Sequence, residues 1–162
     1  MSGPLSGLKV LELTSVVLGP WAAQIIADMG ADVIKIEPVT GDKTRKLKKS
    51  GSGYFLTYNR NKRSIALDVK TSEGREVVLK LLSTADVFIE NFRPGAMDKL
   101  GFGHTELEKI NPQLIYCSAK GFLNGPYQHR TALDEVAQMM GGLAYMTGPP
   151  GQPLRAGSSV ID

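Results

Sequence analysis

An α/β fold built on a parallel sheet is what this sequence predicts, and three observations predict it. Short β-rich runs alternate with amphipathic helical patterns about every 25 residues along the chain. Helix caps and breakers fall between these runs, where crossovers would turn. The composition, 42% hydrophobic and 22% charged over 162 residues, is that of a globular chain about one domain long. Strands linked through helices in this way cross over right-handed. They form a Rossmann-like sheet that binds ligands at the carboxyl ends of its strands.

Each element has its own signal. Leu8 to Leu13 (LKVLEL) reads as a strand, and Gly19-Pro20 then breaks the chain ahead of WAAQIIADMG. Pro20 suits a first helical position, and Ala22, Ala23, Ile26 and Ala27 give that helix an apolar face with Gly30 as its stop. Val33 to Ile36 is a second strand, GYFLTYNR a short helix, and Ser64 to Leu67 a third strand. Thr71 to Leu82 is the clearest helix: Thr71 or Ser72 caps it, Glu73 meets the positive end of its dipole, and Val77, Val78, Leu81 and Leu82 form its buried stripe. Val87 to Glu90 is a fourth strand. Thr105 to Glu108 has the form of a capping box before a helix that stops at Asn111-Pro112. Leu114 to Cys117 is a fifth strand, and one helix is expected from Ala132 to about Ala144. GPPGQP is a turn. AGSSVID is a strand or the beginning of a further element.

Several function classes find little support. The opening MSGPLSGLKV has neither a basic nor an apolar signal region, and no window approaches the ~18 apolar residues of a membrane span. The lone Cys117 excludes an internal disulfide, fits a reducing cytoplasmic setting, and is expected to be buried in its strand. Net charge is +3, but Lys43, Arg45, Lys46, Lys48 and Lys49 crowd one loop, answered only by Asp42. Such a loop can hold phosphates or face water. Nucleic acid is the weaker reading, because no aromatics are interleaved for base stacking. No GxGxxG follows the first strand, GSG at 51–53 lacks the spacing of a P-loop, and no serine elbow is present. His104 and His129 lie far apart, which argues against a metal site. Met139, Met140 and Met146 read as adaptable core packing.

Five stretches in order carry more information: GADVIKIE at 30–37, NKRSIALDVK at 61–70, IENFRPGAMDKLGF at 89–102, NPQLIYCSAKGF at 111–122 and RAGSSVID at 155–162. Together they resemble the family III CoA-transferases. That resemblance implies a Rossmann-like large domain of which 1–162 is the N-terminal, CoA-binding portion. It also implies a second, smaller domain beyond this chain and a homodimer of interlocked subunits. It implies transfer of CoA between short-chain mono- or dicarboxylic acids, with CoA as substrate and neither metal nor redox cofactor. The partners would be an acyl-CoA and a small carboxylic acid, with neither nucleic acid nor membrane.

The family nucleophile is an aspartate, and the matching position is Asp162. Family CoA contacts match Val17 and Leu18 after the first strand, Leu67, Asp68, Val69 and Lys70 after the third, and Asn91, Phe92 and Arg93 after the fourth. Lys99 stands where the family uses an Arg toward a CoA phosphate. Thr131 takes the place of a family Lys, with Arg130 beside it, and Pro38 stands where Arg is frequent. Asp134 matches an acidic residue near the acyl group, and it also suits a first-turn helix carboxylate. In the α-methylacyl-CoA racemase branch a His-Asp pair opens the helix after the GPY turn. Here that His position is Leu133, which favours transfer over racemization. A non-catalytic CoA-binding fragment is the remaining alternative.

Overall fold

The computed structural model describes residues 3–161, so Asp162 lies outside the described residues. The chain divides between Ala119 and Lys120 into two compact units. The first carries β1 (Lys9–Leu13), α1 (Leu18–Asp28), β2 (Asp32–Glu37), α2 (Tyr54–Tyr58), β3 (Arg63–Ala66), α3 (Ser72–Leu82), β4 (Val87–Glu90), α4 (Ala96–Leu100), α5 (His104–Ile110) and β5 (Ile115–Ser118), with short 3-10 turns at Lys43–Lys46 and Lys49–Gly51. The second carries α6 (Asp134–Met140) and α7 (Leu143–Thr147).

The sheet is five-stranded and parallel, in the order β3-β2-β1-β4-β5. Central β1 sets the register, with Leu11 beside Ile34 on one flank and Phe88 on the other. Strand alternation separates two cores. Leu11, Leu13, Ile36 and Phe88 pack with Val78 and Leu82 of α3, Met97 of α4 and Leu107 of α5. Val10, Val33, Val87 and Ile89 pack under Ala23 and Ala27 of α1. Each fully buried large apolar side chain is worth about 1.5–3 kcal/mol of transfer free energy. Thr71 caps α3 as expected, its hydroxyl accepting from the Gly74 N–H.

The structure corrects several expectations. The helix expected over Ala132 to Ala144 is two helices, broken at Gly141-Gly142, where Gly142 takes φ +85°. The capping box at Thr105 does not form. The α5 helix begins at His104 with Gly103 as its cap, two residues earlier than the box requires, so Thr105 already lies inside the first turn. Cys117 is exposed and free: among the described residues β5 pairs only with β4 and forms a sheet edge. Met139, Met140 and Met146 are exposed as well. The buried positions of α6 are polar, Asp134 and Gln138. Through Ile161 the last segment is neither strand nor helix.

Candidate active site

In a sheet of this order the chain leaves β1 toward β2 on one side while β4 pairs on the other. The carboxyl ends of β1 and β4 therefore border the switch point at which such sheets open a crevice. The loop after β1 contains Ser15, Val16 and Val17; the loop after β4 begins at Asn91. The Asn91 side chain ties the two together. Its Oδ1 accepts from the Ser15 N–H at 2.9 Å, and its Nδ2 donates to the Ser15 carbonyl at 2.8 Å. Val16 next to that clamp holds φ +74°, a left-handed conformation costly for a β-branched residue. The turn into α1 is close-packed, because a Cβ on Gly19 would stand 2.4 Å from the Thr14 methyl. The first turn of α1 has no side-chain cap and no acidic residue, so the positive end of its dipole is left uncompensated.

Beneath these loops lies a buried network of charges. On the α1 face the strands run apolar at first and turn charged at their carboxyl ends: Val10 then Glu12, Val33 then Lys35 and Glu37. Lys35 and Glu12 are 1% and 0% exposed. The Lys35 ammonium lies 3.1 Å from Glu12 Oε1 and 3.3 Å from Asp42 Oδ2, and it donates to the Thr14 carbonyl. Lys62 Nζ lies 2.6 Å from Glu12 Oε2, as an ion pair off the axis of a straight hydrogen bond, and it donates to the Pro20 carbonyl at 2.7 Å. Two ammoniums thus balance two carboxylates, and both reach backbone carbonyls flanking the loop before α1. Burial lowers the Lys62 pKa to about 8, although Glu12 opposes the shift. Asp42 stays below the usual carboxylate range: burial pushes it up, but hydrogen bonds from Thr44 and the charge of Lys35 outweigh that.

Beside the network, Arg45 grips Glu37 with two hydrogen bonds of 2.7 Å and covers the Phe55 ring at 3.6 Å. That grip, helped by Ser64 and the Asp42 N–H, lowers the Glu37 pKa to about 2. Arg45 is therefore committed to the fold. Lys43, Lys46, Lys48 and Lys49 of the same loop are exposed, without an ion pair among the described residues.

The profile of CoA-transferase family III matches residues 5–162. The chain belongs to that family. It is 43% identical over 166 residues to the succinyl-CoA:glutarate CoA-transferase of Mus musculus, covering 98% of this chain and 38% of that protein. It is 45% identical over 167 residues to the formyl-CoA:oxalate CoA-transferase of Streptomyces avermitilis, covering 100% of this chain and 41% of that one. A solved CAIB/BAIF family protein from Brucella suis superposes with a TM-score of 0.90 at 46% identity, covering 98% of this chain and 45% of its own. The chain thus spans less than half the length of these relatives.

Within this family III chain, the residues matched to CoA contacts are placed as follows. Val17 is the N-cap of α1 and buried, so its backbone rather than its side chain is presented; Leu18 opens the helix. Asn91, Phe92 and Arg93 follow β4 at the same switch point, with Arg93 exposed. Leu67, Asp68, Val69 and Lys70 follow β3, two strands away. Leu67 and Val69 pack on the core, while Asp68 folds the turn by accepting from the Lys70 N–H at 3.0 Å. Lys70, and Lys99 on α4, are exposed with no ion pair among the described residues. In the second unit Arg130 stacks over Tyr127 at 4.7 Å and Thr131 is exposed. Asp134 is buried, Oδ1 accepting from the Ile161 N–H and Oδ2 from Gln138.

Sequence reasoning missed the Glu12–Lys35–Lys62 network and Gln138. The first had a signal, since single charges interrupt the apolar runs LKVLEL and DVIKIE. The pairing of Lys62 with Glu12 had none.

Proposed function

We propose that this chain is the CoA-binding portion of a CoA-transferase that moves CoA between short-chain mono- or dicarboxylic acids, with Asp162 as nucleophile. The observation that carries the reading is that the family match runs from residue 5 through residue 162, alongside relatives named as CoA-transferases. The Asp162 carboxylate attacks the thioester carbonyl of the donor acyl-CoA. This gives an acyl-aspartyl anhydride and CoA thiolate, a good leaving group because thiols ionise near ~8.5. The thiolate attacks the aspartyl carbonyl, forming an aspartyl-CoA thioester and freeing the donor acid. The acceptor carboxylate attacks that thioester in turn, and the steps run in reverse to release the new acyl-CoA.

Residues 1–162 act as one CoA-binding piece in this reading. The uncapped turn at Val17 and Leu18 offers backbone N–H groups to the ligand, and Asn91, Phe92 and Arg93 border the same crevice. In the first unit Arg93, Lys70 and Lys99 supply cations for the phosphates and the Leu67–Val69 turn lines the approach; in the second unit Arg130 and Thr131 are the CoA contacts that the resemblance assigns. The working enzyme is a homodimer in a reducing, cytoplasmic setting, to which a free, exposed Cys117 is suited.

The test uses the intact protein that carries this sequence. It is offered succinyl-CoA with glutarate and formyl-CoA with oxalate, the pairs in the relatives' names, then other short acids. A new acyl-CoA forming at the expense of the donor, and its absence in Asp162→Ala, is the expected result. No transfer with any pair would overturn the reading.

A further inference from the structure

The buried face of α6 is polar while its methionines are exposed, an inversion that core packing does not explain. Asp134 and Gln138 are one helical turn apart and so share a face. Gln138 is 0% exposed. Burying an amide costs free energy unless its groups are paired, and here they are. Gln138 Oε1 accepts from the Ala156 N–H at 2.7 Å; Nε2 donates to the Ser158 carbonyl at 3.2 Å and to Asp134 Oδ2 at 2.5 Å. Asp134 Oδ1 in turn accepts from the Ile161 N–H at 2.8 Å. A glutamine carries a donor and an acceptor on one planar group, so it can grip an N–H and a C=O of a passing chain as a neighbouring strand would.

The gripped segment has no secondary structure of its own through Ile161, and the next residue is Asp162. From this we propose that Gln138 is a positioning residue: with Asp134 it fixes the backbone of 156–161 against α6 and thereby sets the orientation in which Asp162 is presented. The proposal rests on the reading of Asp162 as nucleophile. It also gives Asp134 a role through the backbone, since both its oxygens are engaged inside its own unit.

The test compares the intact protein with Gln138→Glu, which keeps the acceptor for Ala156 but loses the amide donor, and with Gln138→Met, an uncharged side chain of similar size with neither. Three quantities are read: the melting curve, CoA affinity by calorimetry, and the single-turnover rate at which acyl-CoA labels Asp162. Misplacing a reacting group by about 1 Å can cost ~100-fold in rate, so labelling and kcat are expected to fall about 10- to 100-fold. CoA affinity and acyl-CoA KM should stay within about threefold, because uniform binding is untouched. A folded variant that labels Asp162 at the unaltered rate overturns the proposal. So does failure of both variants to fold, which would make Gln138 a folding determinant instead. Absence of label in the unaltered protein would instead bring down the nucleophile assignment itself.

Discussion

In residues 1–119 polar atoms are buried as charges. Glu12 of β1 and Lys35 of β2 neutralise Lys62 and Asp42 of the adjoining loops beneath the loop before α1. In residues 120–161 polar atoms are buried mainly as hydrogen-bonding groups on one short helix, gripping a segment without secondary structure. The difference lies in what each region must hold still. A sheet fixes its strands by ladder bonds and core, so its charges serve only the loops at its rim. A segment lacking both depends on side chains for its position. Changes in the first region should therefore register mainly in stability, and changes at Gln138 mainly in turnover.

The largest effect that would sharpen this contrast is Lys35→Met. It leaves Glu12 and Asp42 buried with one ammonium between them, and breaking a buried pair from one side costs about 3–5 kcal/mol. The midpoint of chemical denaturation should fall accordingly. A loss below about 1 kcal/mol would mean that the network is not a structural support, breaking the comparison.

Next in size is Gly19→Ala. Its Cβ would sit 2.4 Å from the Thr14 methyl, so the turn into α1 must shift. Overpacking of this kind costs about 1–3 kcal/mol. Because Val17 and Leu18 move with that turn, the acyl-CoA KM should rise along with a lower melting temperature. An unchanged KM would separate the turn from CoA binding.

Asn111→Ala removes the side-chain hydrogen bonds to the Leu82 and Ala85 carbonyls, away from both features, and should cost about 1 kcal/mol with kcat and KM unchanged. It calibrates what a purely structural loss looks like in the same assays.

The last comparison is read from a pH dependence, at Glu37. Its folded pKa of about 2 lies below its ordinary value of 4.5, so the folded state binds the proton less readily than the unfolded. Its stabilisation is complete above about 4.5 and is lost as pH falls toward about 2. Glu37→Gln should flatten that limb of the stability curve; an identical acid limb would contradict the Arg45 grip.

Much of the sheet was legible in the sequence because each strand has a compact apolar signature and each crossover its punctuation. Val87 to Glu90 matches β4 residue for residue, and Thr71 is the cap of α3. The errors have a common origin in information that neighbours in sequence do not carry. Whether Cys117 is buried depends on whether β5 has a partner on its outer flank. Where the helix after Thr131 breaks depends on Gly142 accepting a left-handed turn rather than being tolerated inside a helix. The carboxyl-end loops were found because strand order directs attention there, and the family motifs marked Asn91. Its role as clamp on Ser15 required the distances. Gln138 was invisible because a glutamine on a helix ordinarily faces water.

The central claim is tested most directly by trapping. The intact protein is incubated briefly with a panel of acyl-CoAs, quenched with hydroxylamine or borohydride, and mapped by mass spectrometry. Modification of Asp162 that depends on the acyl-CoA is predicted. No modification there, with exchange of the α-proton into deuterated water in its place, would contradict it.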